Sequence, residues 1–121
     1  MSKKILIVDD EPNIVMSLEY AFKKKDFEVF IARDGTEALD IAGEELPNVI
    51  LLDIMMPKMD GYETLKKLRK NKDLKEAKVI FISAKNKLDD IEKGFELGAD
   101  SYITKPFSIK KVVTDVEKMI V

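Results

Sequence analysis

The sequence predicts an α/β domain built on a parallel sheet. Five short apolar runs alternate with five amphipathic stretches over 121 residues, and regular alternation places helices on both faces of one sheet. Two of the runs, Ile5-Leu6-Ile7-Val8 and Val49-Ile50-Leu51-Leu52, are unbroken and made of β-branched residues and leucine. Such runs mark strands buried on both faces. Both end in acid, at Asp9-Asp10 and at Asp53, and the carboxyl edge of an open α/β sheet is where ligands bind.

The elements follow in order. The first strand is expected over Lys4–Asp9. The first helix runs over Pro12–Lys24, with Pro12 suited to the first helical position and Asp10 a candidate cap. Ile14, Leu18, Ala21 and Phe22 share one face of it. Ile14, Val15, Met16 and Leu18 together exceed one buried stripe. The surplus is either incidental surface apolarity or a docking face for a partner helix. The second strand is Glu28–Ala32. The second helix is Gly35–Glu45, announced by Asp34-Gly35. The third strand, Val49–Asp53, leads through a Pro57- and Gly61-bearing loop into a helix over Gly61–Lys70 with Leu65 and Leu68 inward. Asp60-Gly61 reads as the shaper of that loop, and Met55, Met56 and Met59 as packing. The fourth strand is Lys78–Ser83. The fourth helix, Leu88–Leu97, is placed by Leu88, Ile91 and Phe95 and stopped by Gly98. A fifth strand, Ser101–Thr104, precedes a helix over Ile109–Ile120, whose stripe is Ile109, Val112, Val113, Val116, Met119 and Ile120. No repeat, linker or low-complexity segment interrupts the pattern, so 1–121 reads as a single domain.

Composition narrows the chemistry. Apolar residues make 45% and charged residues 36% of the chain, at a net charge of −2. No overall basic field calls for direct nucleic-acid binding, and only Arg33 and Arg69 are arginines. Apolar runs fall far short of the ~20 residues of a membrane span, and no secretory leader is evident. Cysteine is absent, which excludes disulfides and thiol chemistry and fits a cytoplasmic location. Histidine is absent as well. Any metal must therefore be held by oxygen, which points to Mg²⁺, Mn²⁺ or Ca²⁺.

Polar residues at strand ends define the candidate site. Asp9-Asp10, Asp53, Ser83-Ala84 and Lys105-Pro106 all fall at one sheet edge. Like charges this close require a counter-charge. The set suits phosphoryl transfer to Asp53, with Mg²⁺ (or Mn²⁺) held by Asp10 and Asp53, and by Asp9 directly or through water. Lys105 and Ser83 would meet the transferred group. Each residue alone has a plainer reading. Asp9-Asp10 suits a solvated turn, Ser83 a partner for nearby backbone, and Tyr102 ordinary edge-strand packing.

In this order and spacing, Val8-Asp9-Asp10-Glu11, Leu52-Asp53-Ile54-Met55-Met56-Pro57, Met59-Asp60-Gly61, Ser83-Ala84, Gly98-Ala99 and Lys105-Pro106-Phe107 resemble a receiver domain of the two-component response regulators over essentially the whole chain. The resemblance implies a flavodoxin-like (βα)5 three-layer sandwich with sheet order 2-1-3-4-5. It implies that Asp53 accepts a phosphoryl group from a sensor histidine kinase or histidine phosphotransfer protein. It implies that Asp9, Asp10, Asp53 and the Met55 backbone carbonyl hold the metal. Ser83 and Lys105 would bind the phosphate, and Tyr102 would be an aromatic switch. Lys105-Pro106 would be cis. The domain would catalyse its own phosphorylation and dephosphorylation and carry no independent metabolic activity. Its output would leave through the fourth helix, fifth strand and fifth helix to a downstream protein target, as a monomer or a phosphorylation-dependent dimer. Kinase docking falls to Ile14, Val15 and Leu18, with Pro106. The side chains of Met55 and Lys85, two residues beyond Asp53 and Ser83, are the least typical. One offers no polar group to orient water and the other is long enough to obstruct it, so slow loss of phosphate is expected.

Competing readings weaken on the residues. An Asp-nucleophile phosphatase needs Asp-x-Asp, whereas Asp53 is followed by Ile54-Met55. A flavin-binding protein needs a hydroxyl-rich phosphate loop, whereas Asp10-Glu11-Pro12-Asn13 would repel phosphate. A phosphorylation-independent scaffold and the receiver part of a longer DNA-binding regulator stay open. With no effector domain after Val121, a stand-alone messenger or relay is expected.

Overall fold

The computed structural model describes residues 2–120, so the expected domain 1–121 extends by Met1 and Val121 beyond the described residues. Five strands, β1 (Lys4–Val8), β2 (Glu28–Ala32), β3 (Val49–Asp53), β4 (Lys78–Ser83) and β5 (Ser101–Thr104), alternate with α1 (Pro12–Lys24), α2 (Gly35–Glu45), α3 (Gly61–Arg69), α4 (Leu88–Glu96) and α5 (Ile109–Met119). A short 3-10 turn at Lys72–Leu74 precedes β4 and was not expected. The sheet is wholly parallel in the order β2-β1-β3-β4-β5.

Strand alternation divides the interior into two cores. Leu6, Val8, Ile50, Leu52, Val79 and Phe81 face α2 and α3, where Ala38, Ala42, Leu65 and Leu68 cover them. Ile5, Ile7, Val49, Leu51, Ile80 and Ile82 face α1 and α5, where Leu18, Phe22, Val112, Val113 and Val116 cover them. A strand whose alternate residues serve two cores has no polar face, which is why β1 and β3 read as unbroken apolar runs.

Expected and observed elements agree except at ends and at one helix face. β1 stops at Val8 because Asp9 turns its carboxylate to accept from the Glu11 N–H at 2.9 Å. Pro12 opens α1, but Glu11 rather than Asp10 is its N-cap, and no side chain caps it. Asp34 and Asp60 are true caps, accepting from the N–H groups of Glu37 and Glu63.

α4 departs from expectation. Its Leu88-Ile91-Phe95 stripe does not face the sheet; Leu88 is 69% and Phe95 48% exposed. The buried residue is Gly94, where a Cβ would stand 3.0 Å from the Phe81 ring and 3.3 Å from that of Tyr102. The two aromatic rings already fill the space beneath α4, so the helix approaches on its smallest residue.

Candidate functional site

The topology creates the site. From β1 the chain crosses to β2 on one side, and from β2 it returns to β3 on the other. The loops leaving β1 and β3 diverge and open a crevice at their carboxyl ends. Asp9 and Asp10 enter it from β1 and Asp53 from β3. Each offers a carboxylate oxygen within 4.8 Å of the others. Asp9 and Asp53 are each only 3% exposed, while Asp10 faces solvent.

Lys105 supplies the counter-charge from the loop after β5. Its Nζ lies 3.2 Å from Asp9 Oδ2 and 3.6 Å from Asp53 Oδ2. The Lys105-Pro106 peptide is cis, as expected. The lysine N–H donates to the Ser83 carbonyl at 2.8 Å, which anchors the loop to β4. Asp53 is further fixed by the Met55 N–H, which donates to its Oδ1 at 3.2 Å.

Burial dominates the electrostatics. It raises the Asp53 carboxyl to about 6, with the charge of Asp9 adding to the rise and Lys105 and the Met55 N–H opposing it. Burial raises Asp9 too, against the Glu11 N–H and Lys105. For Lys105, burial disfavours the charge, but the bond to Glu11 and the charges of Asp53 and Asp9 outweigh it, and its pKa is raised. The crevice thus holds more negative charge than one ammonium neutralises, and its donors are all oxygens. A small hard divalent cation fits that set.

Ser83 is fully buried at the end of β4. Its Oγ accepts from the Lys85 N–H at 3.1 Å, while the Lys85 carbonyl accepts from the Tyr102 hydroxyl at 2.7 Å. The loop after β4 is thus held between Ser83 and Tyr102. Tyr102 is half-buried, and its ring meets that of Phe81 edge-on at 6.1 Å. Met55 is 56% exposed at the rim and Lys85 is half-buried.

The expected docking residues separate. Ile14 and Pro106 line one groove of about 540 Å³ with Glu11, Lys105 and Phe107. Val15 lines another, with Asp10, Met16 and Arg33. Leu18 belongs to neither. It is 1% exposed and packs in the core between the sheet, α1 and α5. A side chain so enclosed has no surface to offer a partner, which corrects its assignment.

Two site residues escaped the sequence reading. Glu11 binds Lys105 at 2.7 Å although 94 residues separate them. Tyr62 donates from its hydroxyl to the Asp90 carbonyl at 3.0 Å and tethers α3 to α4. Its position directly after Asp60-Gly61 was the available signal.

A doubly wound parallel sheet in this order, with three aspartates and a lysine at its switch point, defines a flavodoxin-like domain of the chemotaxis-regulator type. The chain matches the response regulator receiver domain model over residues 5–117, and it belongs to that family. It is 46% identical over 112 residues to the alkaline phosphatase synthesis transcriptional regulatory protein PhoP of Bacillus subtilis, a match that covers 93% of this chain and 46% of that protein. The chain therefore spans about half the length of that relative. Among solved structures it resembles the chemotaxis response regulator CheY4 of Vibrio cholerae, with a TM-score of 0.93 at 27% identity over 98% of this chain and 99% of that one. It also resembles a CheY-like receiver domain protein of Methanospirillum hungatei JF-1, with a TM-score of 0.92 at 31% identity over 99% and 94%. Among the described residues, no helix is long and apolar enough to cross a membrane.

Proposed function

We propose that this domain accepts a phosphoryl group on Asp53 from the phosphohistidine of a sensor kinase or histidine phosphotransfer protein, in a Mg²⁺-dependent reaction. The observation that carries the reading is Asp53 itself. It is a carboxylate 3% exposed at a strand end, with a pKa raised to about 6 and a half-buried ammonium 3.6 Å away. A carboxylate held against its own charge is a better nucleophile than a solvated one. Attack of an Asp53 oxygen on phosphorus forms the O–P bond as the P–N bond to the donor imidazole breaks. The chain has no histidine of its own, in keeping with a donor on another protein.

Asp9, Asp10 and Asp53, with the Met55 carbonyl, would hold Mg²⁺. When bound, the ion supplies charge neutralisation for the carboxylates and for the phosphoryl oxygens. Lys105 would pair with a phosphoryl oxygen, and the Ser83 hydroxyl would donate to another. The phosphoryl group adds about two negative charges. Their pull on Lys105 and Ser83 would loosen the hold of Ser83 on the Lys85 N–H. That loop leads into α4 and carries the bond from Tyr102, so we place the output on α4, β5 and α5. The outward Leu88 and Phe95 give α4 an apolar face for a downstream protein. Ile14, Val15 and Pro106 remain as the docking residues for the kinase. Met55 and Lys85 are assigned to slow phosphate loss. Exchanging Met55 for a polar residue and Lys85 for a smaller one should hasten it, and an unchanged lifetime would count against that role.

The decisive experiment is incubation with acetyl phosphate and Mg²⁺. The expected product is a single hydroxylamine-labile phosphoryl adduct, absent without the metal and absent in Asp53→Ala. An adduct that persists in Asp53→Ala would refute the assignment.

A further inference from the structure

We infer that Glu11 is a positioning residue that clasps Lys105 and competes for it with the group carried on Asp53. The inference rests on the phosphoacceptor reading above for its consequence, but on the ion-pair geometry for its existence. Lys105 Nζ makes three carboxylate contacts, and the shortest is to neither buried aspartate. Glu11 Oε1 lies at 2.7 Å, Asp9 Oδ2 at 3.2 Å and Asp53 Oδ2 at 3.6 Å. The lysine is drawn most closely to the carboxylate outside the cluster.

The backbone of Glu11 is fixed on both sides. Its N–H donates to Asp9 Oδ1 at 2.9 Å, and its carbonyl accepts from the Val15 N–H at 3.1 Å as the N-cap of α1. The N-cap side chain is normally the one that caps, yet here it makes no cap bond. It reaches across to Lys105 instead. The two partners differ in freedom. The Lys105 side chain is 13% exposed and that of Glu11 57%. Both line the open groove that also holds Ile14 and Pro106, so Glu11 can swing to solvent while Lys105 stays in the crevice.

A phosphoryl group on Asp53 draws on the same ammonium. Lys105 has three N–H donors and already faces three carboxylates. Once Asp53 carries the group, the contact of Lys105 with Asp53 passes to the phosphoryl oxygens, and a closer approach to that dianion draws the ammonium away from Glu11, its nearest partner. Asp9 and Asp53 are locked by burial; Glu11 is not. The clasp thus sets how readily Lys105 turns to its new partner.

The test uses beryllofluoride with Mg²⁺, the fluoride standing in for the phosphoryl group, on the 121-residue chain. Glu11→Gln should bind it about threefold more tightly, the scale of one half-exposed ion pair. Glu11→Asp keeps the charge but is one methylene too short for the clasp, and should gain as much. In a Lys105→Ala background, Glu11→Gln should change nothing. A metal-free readout stands beside these. The Lys105 ammonium resonance is expected to be slowed in solvent exchange by the clasp in the unaltered protein, and should broaden in both Glu11 variants. Unchanged affinity in Glu11→Gln, unaltered behaviour in Glu11→Asp, or a gain that survives Lys105→Ala would each overturn the clasp. Failure of the unaltered protein to bind beryllofluoride at Asp53 would instead overturn the phosphoacceptor reading, while the metal-free resonance still judges the ion pair.

Discussion

The Tyr102 hydroxyl donates to the carbonyl of Lys85 at 2.7 Å, so β5 holds the loop through which β4 passes into α4. The same Lys85 gives its N–H to Ser83 Oγ. One residue therefore joins the strand end beside Asp53 to the aromatic ring beneath α4. Tyr102→Phe deletes the outer bond and leaves the packing of the ring on Phe81. The expected cost is about 1 kcal/mol, read as a lowered urea midpoint with an unchanged slope. Amide exchange should quicken selectively over residues 85–88. Uniform quickening over the whole chain would show that the bond holds no particular segment.

Gly61 sits directly against the main chain of the acidic crevice. A Cβ there would stand 2.5 Å from the Asp53 carbonyl oxygen and 2.7 Å from the Ile54 Cα. Both neighbours are backbone in the central strand and its exit, and neither can give way. Gly61→Ala should cost more than about 2 kcal/mol and disturb Asp53 at the same time. Gly43, inside α2, is the contrast, since its Cβ would meet only the Asn71 amide at 3.9 Å. Gly43→Ala should stabilise the protein by about 0.5–1 kcal/mol, through helix propensity and a less free unfolded chain. Thermal midpoints of the two variants should therefore move in opposite directions.

What the sequence disclosed, and what it hid, divides along physical lines. β1 and β3 were legible because a strand serving two cores must be apolar throughout. Asp53 and Lys105 were legible because carboxylates and a lysine at strand ends converge in any parallel sheet. The face of α4 was not. Periodicity showed that Leu88, Ile91 and Phe95 align but not which way they point, and the bulk of Phe81 and Tyr102 decided that Gly94 goes inward. The first cap was misplaced because α1 begins at Pro12, so that Glu11, whose carbonyl accepts from the Val15 N–H, is the N-cap. The Glu11–Lys105 pair depends on the path of two loops, and no local pattern encodes it.

The raised carboxyl of Asp53 makes stability depend on pH in a defined sense. Its folded pKa is about 6, against an ordinary value of 3.8. The folded state therefore holds a proton that the unfolded chain has released, and stability falls as pH rises between those values. The burden is absent below about 4 and complete above about 6, where a shift of this size corresponds to about 3 kcal/mol. Lys105 adds no slope here, because its pKa is raised from 10.5 and it stays charged throughout. Asp53→Asn keeps the shape and removes the charge. In metal-free buffer it should be the more stable protein at pH 7.5, with the difference shrinking toward zero near pH 4. Denaturant melts of the two proteins across that range measure it, and parallel curves would contradict the buried-charge account.

Arg69 is the structural counterpart of Lys105, at the opposite end of β4. Its guanidinium donates through Nη1 to the carbonyls of Leu74 and Ala77, at 3.2 and 2.8 Å. Through Nη2 it reaches the Gly98 carbonyl at 2.9 Å and Asp100 Oδ2 at 3.2 Å. That carboxylate also accepts from the Val79 N–H at 2.8 Å. One side chain thus ties the end of α3, the 3-10 turn and the loop from α4 into β5, where Gly98 takes a φ of 105°. The planar fork reaches all of these at once, and a single ammonium does not. Arg69→Lys should lose about 1.5–3 kcal/mol, the range for hydrogen bonds to a charged group. Asp100→Asn, which keeps an oxygen for the Val79 N–H, should lose less. Because the network lies away from the acidic crevice, both variants should still take up phosphate from acetyl phosphate at the unaltered rate wherever they remain folded. An Arg69→Lys variant that melts with the parent would show that the guanidinium contacts contribute nothing net to stability.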